Sequence, residues 1–243
     1  MKRILLSAVL LIVIAYLAAA VTVFNRKPEG QVCKEVKLVI KDSVYAGFVT
    51  REEVVGLLNK KGIDPLGKTL DLISTEDVEQ ALDGHPFMRR AECYKTLSGS
   101  LCIEVHQRIP IIRVMPDKGK GYYIDNQGAL MPLDARCVPH VVVATGNVDK
   151  DFARRELYPF GAFLQKDPFW SAQVEQIHVL ADRRVELVPR VGNHIIYMGT
   201  LEDFERKLER LYTFYAKGLS RVGWNKYARI SVEFDNQIIC TKR

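Results

Sequence analysis

Residues 86–111, PFMRRAECYKTLSGSLCIEVHQRIPI, decide the fold. Phe87–Lys95 and Ser100–Arg108 read as the two strands of a hairpin that turns around Ser98 and Gly99, residue types that accept tight-turn backbone. The second strand carries the cleaner signal. Leu101, Ile103 and Val105 alternate with Cys102, Glu104 and His106, the period of a strand with one buried face. Pro86 disfavours helix at His85, so the chain enters the hairpin extended.

Upstream, two helices are expected. Ser74 caps one, Ile73 and Val78 can staple its start, Ala81 and Leu82 continue its apolar stripe, and Gly84 ends it. The other opens with a capping box, Thr50 and Glu53, flanked by Val49 and Val54; its stripe is Val54, Leu57 and Leu58, and Gly62 stops it. A loop with Pro65 and Gly67 joins them, and Gly47 lies in the connection before them. Further back, Cys33–Ile40 alternates as a strand. The order strand, helix, helix, strand, strand gives two helices covering one face of a small sheet.

Downstream, Pro116–Gly121 (PDKGKG) reads as a joint between domains. Tyr122–Met131 then forms a strand, a turn at Asn126–Gly128 and a returning strand. Residues 151–166 read as a helix with Phe152, Leu157, Phe160 and Leu164 on one face. Ala172–Leu180, Arg184–Val188 and Gly192–Met198 read as strands. Leu201–Tyr215 is a helix capped by Thr200, with Asp203 in its first turn and Phe204, Leu208, Leu211 and Tyr215 sharing a face. The chain closes with Ala228–Phe234, a turn at Asp235–Asn236, and Gln237–Thr241.

At the other end, Ile4–Phe24 is a run of 21 uncharged, mostly apolar residues behind Lys2 and Arg3. A helix of that length rises about 30 Å, enough to cross the hydrocarbon core with every backbone group satisfied internally. A cleaved signal peptide is the rival reading, with Ala18, Ala19 and Ala20 as the cleavage site. The run is longer than the roughly 7–15 residues of a signal-peptide core and continues past those alanines, which favours an uncleaved anchor. Lys2 and Arg3 are nearly balanced by Arg26 and Lys27, so charge leaves orientation open. A short leading tail (1–3) before a large domain is expected to stay inside, with residues 25–243 exported and 25–32 as the exit linker.

The chain of 243 residues is 48% apolar, enough for a sizeable core, and carries a formal charge of +6. Its basic residues are scattered, without the dense stripe that nucleic-acid binding needs. None of the five histidines stands four residues from another, and there is no C-x-x-C, H-E-x-x-H, G-x-S-x-G, P-loop or G-x-G-x-x-G. No catalytic residue, metal or cofactor is expected. Five cysteines leave an odd thiol. Cys93 and Cys102, on the two hairpin strands, are expected on one face, either bridged or as reduced surface thiols, the latter preferred.

The stretch from Pro86 to Ala91, followed by Leu101–Ile111, resembles the end of the POTRA domain of the FtsQ/DivIB bacterial cell-division family, which closes with an acidic-Arg-x-Pro motif; Gln107 stands at the acidic position. Tyr122–Met131 is similar to the "strand–Asp–x–x–Gly–apolar" opening of that family's β domain, and Val138-Pro139, Thr145-Gly146 and the last strands resemble its later segments. The resemblance implies an α+β protein with a transmembrane helix at 4–24, a POTRA-like β-α-α-β-β module at 33–115, and a β domain with a late helix at 122–243. It implies a non-catalytic scaffold of the divisome, single-pass in the inner membrane, with its bulk periplasmic at the septum. The implied partners are single-span proteins of the FtsB and FtsL kind, and further FtsK, FtsW and FtsI. If Ile230–Phe234 borders its sheet, it can receive a partner strand. Tyr227, Ile230, Val232 and Phe234, with Tyr212 and Tyr215 on the preceding helix, are the candidate partner-binding residues. A POTRA-containing polypeptide-transport or outer-membrane assembly factor is the alternative, as is a membrane-anchored hydrolase.

Overall fold

The computed structural model describes residues 10–20, 30–42 and 47–243. Residues 10–20 are helical with Leu10, Leu11, Ile12 and Leu17 exposed. Among the described residues, no helix is long and apolar enough to cross a membrane. The expected span Ile4–Phe24 and linker 25–32 fall partly outside those residues, and the tail 1–3 wholly so.

The described residues divide into two compact units, those of 1–39 with 51–84 and 90–105, and those of 40–50 with 85–89 and 106–243. The first unit is built on a three-stranded sheet in the order β1 (Glu35–Lys41), β3 (Ser100–Gln107), β2 (Met88–Lys95). Its helices are Arg51–Lys60 and Thr75–Asp83, with an unforeseen 3-10 turn at Leu70–Leu72. Val54, Leu58, Val78, Leu82, Leu101 and Ile103 are buried, as the apolar stripes require. Ser74 Oγ accepts the Asp77 N–H at 3.1 Å, the expected cap. The first helix closes where Ile63 N–H donates to the Leu58 carbonyl at 2.9 Å.

Both borders of this small sheet are guarded by side chains. On β2, the Ala91 N–H donates to Asp83 Oδ1 at 3.0 Å and the Cys93 N–H to Glu79 Oε1 at 2.6 Å. On β1, Arg51 Nη2 donates to the Leu38 carbonyl at 3.1 Å. An incoming strand would have to displace these bonds.

The two hairpin cysteines do not share a face. Thr96 N–H closes the turn on the Ser100 carbonyl at 2.9 Å, and Tyr94 Oη donates to Glu104 Oε1 at 3.0 Å. Tyr94, Glu104 and hence Cys102 lie on one side, while Cys93 points with Ala91 to the other. All five cysteines are free thiols, and Cys93 and Cys102 are buried rather than on a sheet surface. Burial pushes the Cys93 thiol up to about 12.

The second unit carries a nine-stranded sheet in the order β12-β11-β10-β9-β8-β7-β4-β5-β6. In chain order its strands are β4 (Pro110–Pro116), β5 (Tyr122–Asp125), β6 (Leu130–Pro132), β7 (Val142–Gly146), β8 (Val174–Val179), β9 (Val185–Pro189), β10 (Ile195–Gly199), β11 (Tyr227–Ser231) and β12 (Ile239–Lys242). Residues 116–121 are therefore not a joint between domains. They turn β4 back onto β5, with Val114 opposite Tyr122. The glycine-rich, charged composition that reads as a linker also suits an exposed hairpin turn.

A helix over 150–166, a short helix Pro168–Gln173 and a helix over 204–222 supply Phe152, Leu157, Phe160, Leu164, Trp170, Leu208, Leu211 and Tyr215 to one core with Ile112, Ala144, Ile177, Leu187, Ile196 and Ile230 from the strands. Gly161 permits the close approach: a Cβ there would lie 2.2 Å from Ile112 Cδ1. Gly146 ends β7 at φ +95°, and a Cβ there would sit 2.1 Å from the Val179 carbonyl oxygen, so strand geometry and left-handed backbone both demand glycine. Asp149 Oδ1 accepts the Phe152 N–H at 2.8 Å, and that bond holds its carboxyl below the usual range. The helix widens to a π turn at Ala153–Leu157, just ahead of Pro159, which cannot donate the next backbone bond.

Asp125 ties three pieces of chain together. It is 2% exposed. Its Oδ1 accepts the Gln127 and Ala129 N–H groups at 3.0 and 2.8 Å, fixing the β5–β6 turn. Its Oδ2 accepts Arg108 Nε at 2.7 Å, while Arg108 Nη1 reaches the carbonyls of Pro86 at 3.1 Å and Leu130 at 3.2 Å. The Arg of the first sequence motif and the Asp of the second thus form one buried pair. Gln107 beside it is fully buried, accepting the Val49 N–H at 2.9 Å and donating to the Lys41 carbonyl at 3.4 Å. A neutral amide makes both bonds; a carboxylate could make only the first.

Candidate interaction edge

β11 is not a border. It pairs in parallel with β10, Ile196 opposite Ile230, and antiparallel with β12, Ile230 opposite Cys240. The last segment of chain folds back and covers it, so the border strand is β12. The opposite border, β6, is three residues long and ends in Pro132, which has no N–H to offer. β12 contains no proline, and among the described residues no side chain caps its backbone N–H or C=O groups, in contrast to the guarded borders of the first unit.

The candidate residues divide accordingly. Ile230 and Val232 are fully buried and Tyr215 is 2% exposed, so these three side chains belong to the core and are not on offer to a partner. The alternation that marked Ile230 and Val232 as an interaction stripe is the alternation of an interior strand against the helices. Tyr227 is half-buried, whereas Tyr212 and Phe234 are about half exposed, at 49% and 50%. Ile239, outside the candidate set, is exposed on β12 itself.

Sequence reading overlooked Arg210. On a charged helix it resembles a solvated residue, yet its guanidinium binds the β11–β12 connection. Nη2 donates to the Val232 carbonyl at 2.7 Å and Nη1 to the Phe234 carbonyl at 2.5 Å and to that of Asp235. The helix thereby fixes where β12 begins. At the far end, Arg243 Nη2 donates to the Asn193 carbonyl.

The start of that helix also differs from expectation. Thr200 does not cap it. The first helical residue is Phe204, preceded by Asp203 at φ 51°, and the Thr200 carbonyl instead accepts Lys207 Nζ at 2.8 Å. Lys207 is buried, which lowers its ammonium pKa. Behind β12's neighbours lies a buried polar pair. His194 Nε2 and Tyr215 Oη are 2.7 Å apart, Trp224 packs on Tyr215 with ring centroids at 4.9 Å, and His194 Nδ1 has no partner. Burial pushes the Tyr215 hydroxyl pKa up and that of His194 down.

Among the described residues, no group of three or more His, Cys, Asp or Glu side chains is placed to hold a metal ion. What this region offers chemically is an uncapped backbone border with Ile239 exposed on it.

Comparison with known proteins bears on what that border serves. Residues 109–241 match a family model described as FtsQ/DivIB, C-terminal related, and residues 31–106 match a POTRA-like domain. A cell division protein FtsQ from Rhodothermus marinus is 28% identical over 166 residues, covering 64% of this chain and 60% of that protein. The chain therefore matches less than two thirds of that relative's length.

Proposed function

The chain belongs to the FtsQ/DivIB family, and from that premise we propose that it is a cell-division protein that works without catalysis, as a membrane-tethered scaffold whose β12 border receives a strand from its partners. The observation that carries this reading is the contrast between borders: those of the first sheet are capped, β6 ends in proline, and β12 is bare. Strand addition supplies affinity through main-chain bonds and selectivity through adjoining side chains, here Ile239, Tyr227 and Phe234. The partners are small single-span division proteins of the FtsB and FtsL kind; FtsK, FtsW and FtsI contact the assembly more widely. The tether is Ile4–Phe24, which places residues 25–243 in the periplasm at the septum. Confinement to one bilayer raises effective concentration, so an interface below about 1,200 Å² suffices for a transient assembly.

The test uses proline placed singly at Ile239, Cys240 and Thr241 of the full-length protein. Backbone N–H groups alternate along a strand, one set bonding β11 and the other facing outward. Proline in the outward set should cut capture of single-span partners from crosslinked membranes by about tenfold with thermal unfolding nearly unchanged. Proline in the inward set should lower the unfolding temperature. Full capture by all three variants contradicts the proposal.

A further inference from the structure

Above the helix over 204–222 lies a groove of about 450 Å³ with an unusual lining. Its walls are aromatic: Phe169 meets Tyr212 edge-on at 4.9 Å between ring centroids and Trp170 edge-on at 4.8 Å, with Phe163 beside them. Its rim is acidic. Glu205 and Glu209, one helical turn apart, both line it and both are exposed. Neither carboxylate has an ion-pair partner among the described residues, and no Lys, Arg or His lines the groove. Like charges four residues apart weaken a helix. They do so here in a chain whose formal charge is +6, where neutralising cations are plentiful. Asp167, the third carboxylate, is already engaged, accepting the Phe169 and Trp170 N–H groups at 2.9 and 3.0 Å.

Aromatic faces attract cations through their quadrupole, and unpaired carboxylates supply the opposite charge. Tyr212 stays half exposed beside them, whereas Tyr215 on the same helix is buried. We propose that this groove is a docking site for a basic side chain, arginine or lysine, on a protein partner. The proposal rests on the scaffold reading above and gives that partner a chemistry: a strand-forming segment for β12 accompanied by a cationic residue for the groove. Arginine suits it best, since a guanidinium stacks on a ring while donating to carboxylates.

The probe is a pair of short synthetic peptides of neutral sequence, one with a central arginine and one with citrulline, which keeps the shape and removes the charge. Saturation-transfer NMR is run with the full-length protein in phosphatidylcholine nanodiscs, with empty nanodiscs subtracted. The arginine side-chain protons should receive saturation that falls about fivefold with citrulline and about fivefold in E205Q/E209Q. The exposed control E202Q should leave it unchanged. Equal transfer to citrulline, transfer unaffected by E205Q/E209Q, or transfer matched by empty nanodiscs overturns the groove. None of those outcomes touches the β12 reading, which the proline variants test separately. Conversely, loss of the β12 reading with intact arginine binding would leave the groove standing with a different partner.

Discussion

At the residue scale, His194 shows how one buried group writes a pH dependence into the fold. It is 2% exposed and bonded to Tyr215, and its folded pKa lies below the ordinary value of 6.5, chiefly through burial and then through Arg243. The unfolded chain therefore takes up this proton first as pH falls. The stability owed to neutral His194 is complete above about pH 6.5 and is lost as pH drops below it. Urea unfolding at pH 7.5 and 5.5 should show a larger loss of midpoint in the native sequence than in His194→Gln; equal losses would contradict the assignment. Sequence alone could not mark this residue, because a histidine next to a strand reads the same whether it faces water or a tyrosine. Arg210 was hidden for a related reason. A long cation on an amphipathic helix looks solvated, and only the return of the β11–β12 connection places carbonyls within its reach.

At the scale of elements, legibility followed the physics of each signal. The first unit was readable because its two helices carry caps and stops and its strands alternate, each signal being local. β4 and β7 were not foreseen as separate strands. They pair in parallel in the middle of the sheet, Ile112 opposite Val142, and their sequences, PIIRVMP and VVATG, set apolar residues side by side, so the apolar-polar alternation that marks a strand is weak. The short helix Pro168–Gln173 is not foreseen, and its last two residues fall in the expected strand Ala172–Leu180, because its only strong signal is Asp167 and Pro168 at its start. Of the candidate interaction residues, those on β11 are legible as a strand, but the condition that it borders its sheet is not met, since nothing local reveals that β12 folds back over it. The Arg108–Asp125 pair holds the β5–β6 turn. Asp125→Ala takes from the partly buried Arg108 its carboxylate partner and from two turn N–H groups their acceptor, and should lower unfolding free energy by about 3 kcal/mol in denaturant titration. Asp151→Ala, which removes an exposed pair with Arg155, should cost below about 1 kcal/mol. Similar losses for the two would mean that the pair does not anchor the turn.

At the scale of the whole molecule, two units with different edge management follow an apolar N-terminal segment. The first unit spends side chains on closing its sheet, and the second leaves one border of nine strands unprotected while its other end stops at proline. Unprotected borders are ordinarily an aggregation hazard, and retaining one is consistent with a surface that is occupied in use. Beside it, the helix over 204–222 presents Arg210 to the β12 connection and Glu209 to the aromatic groove, so one element serves both proposed contacts. The most direct measurement is amide hydrogen exchange at residues 239–242 of the full-length protein in nanodiscs, alone and as the complex captured with the proposed single-span partners. The account expects alternate amides of β12, those facing away from β11, to exchange rapidly in the free protein and to become at least about tenfold slower in the complex. Unchanged exchange along β12 in a complex that demonstrably contains those partners would contradict it.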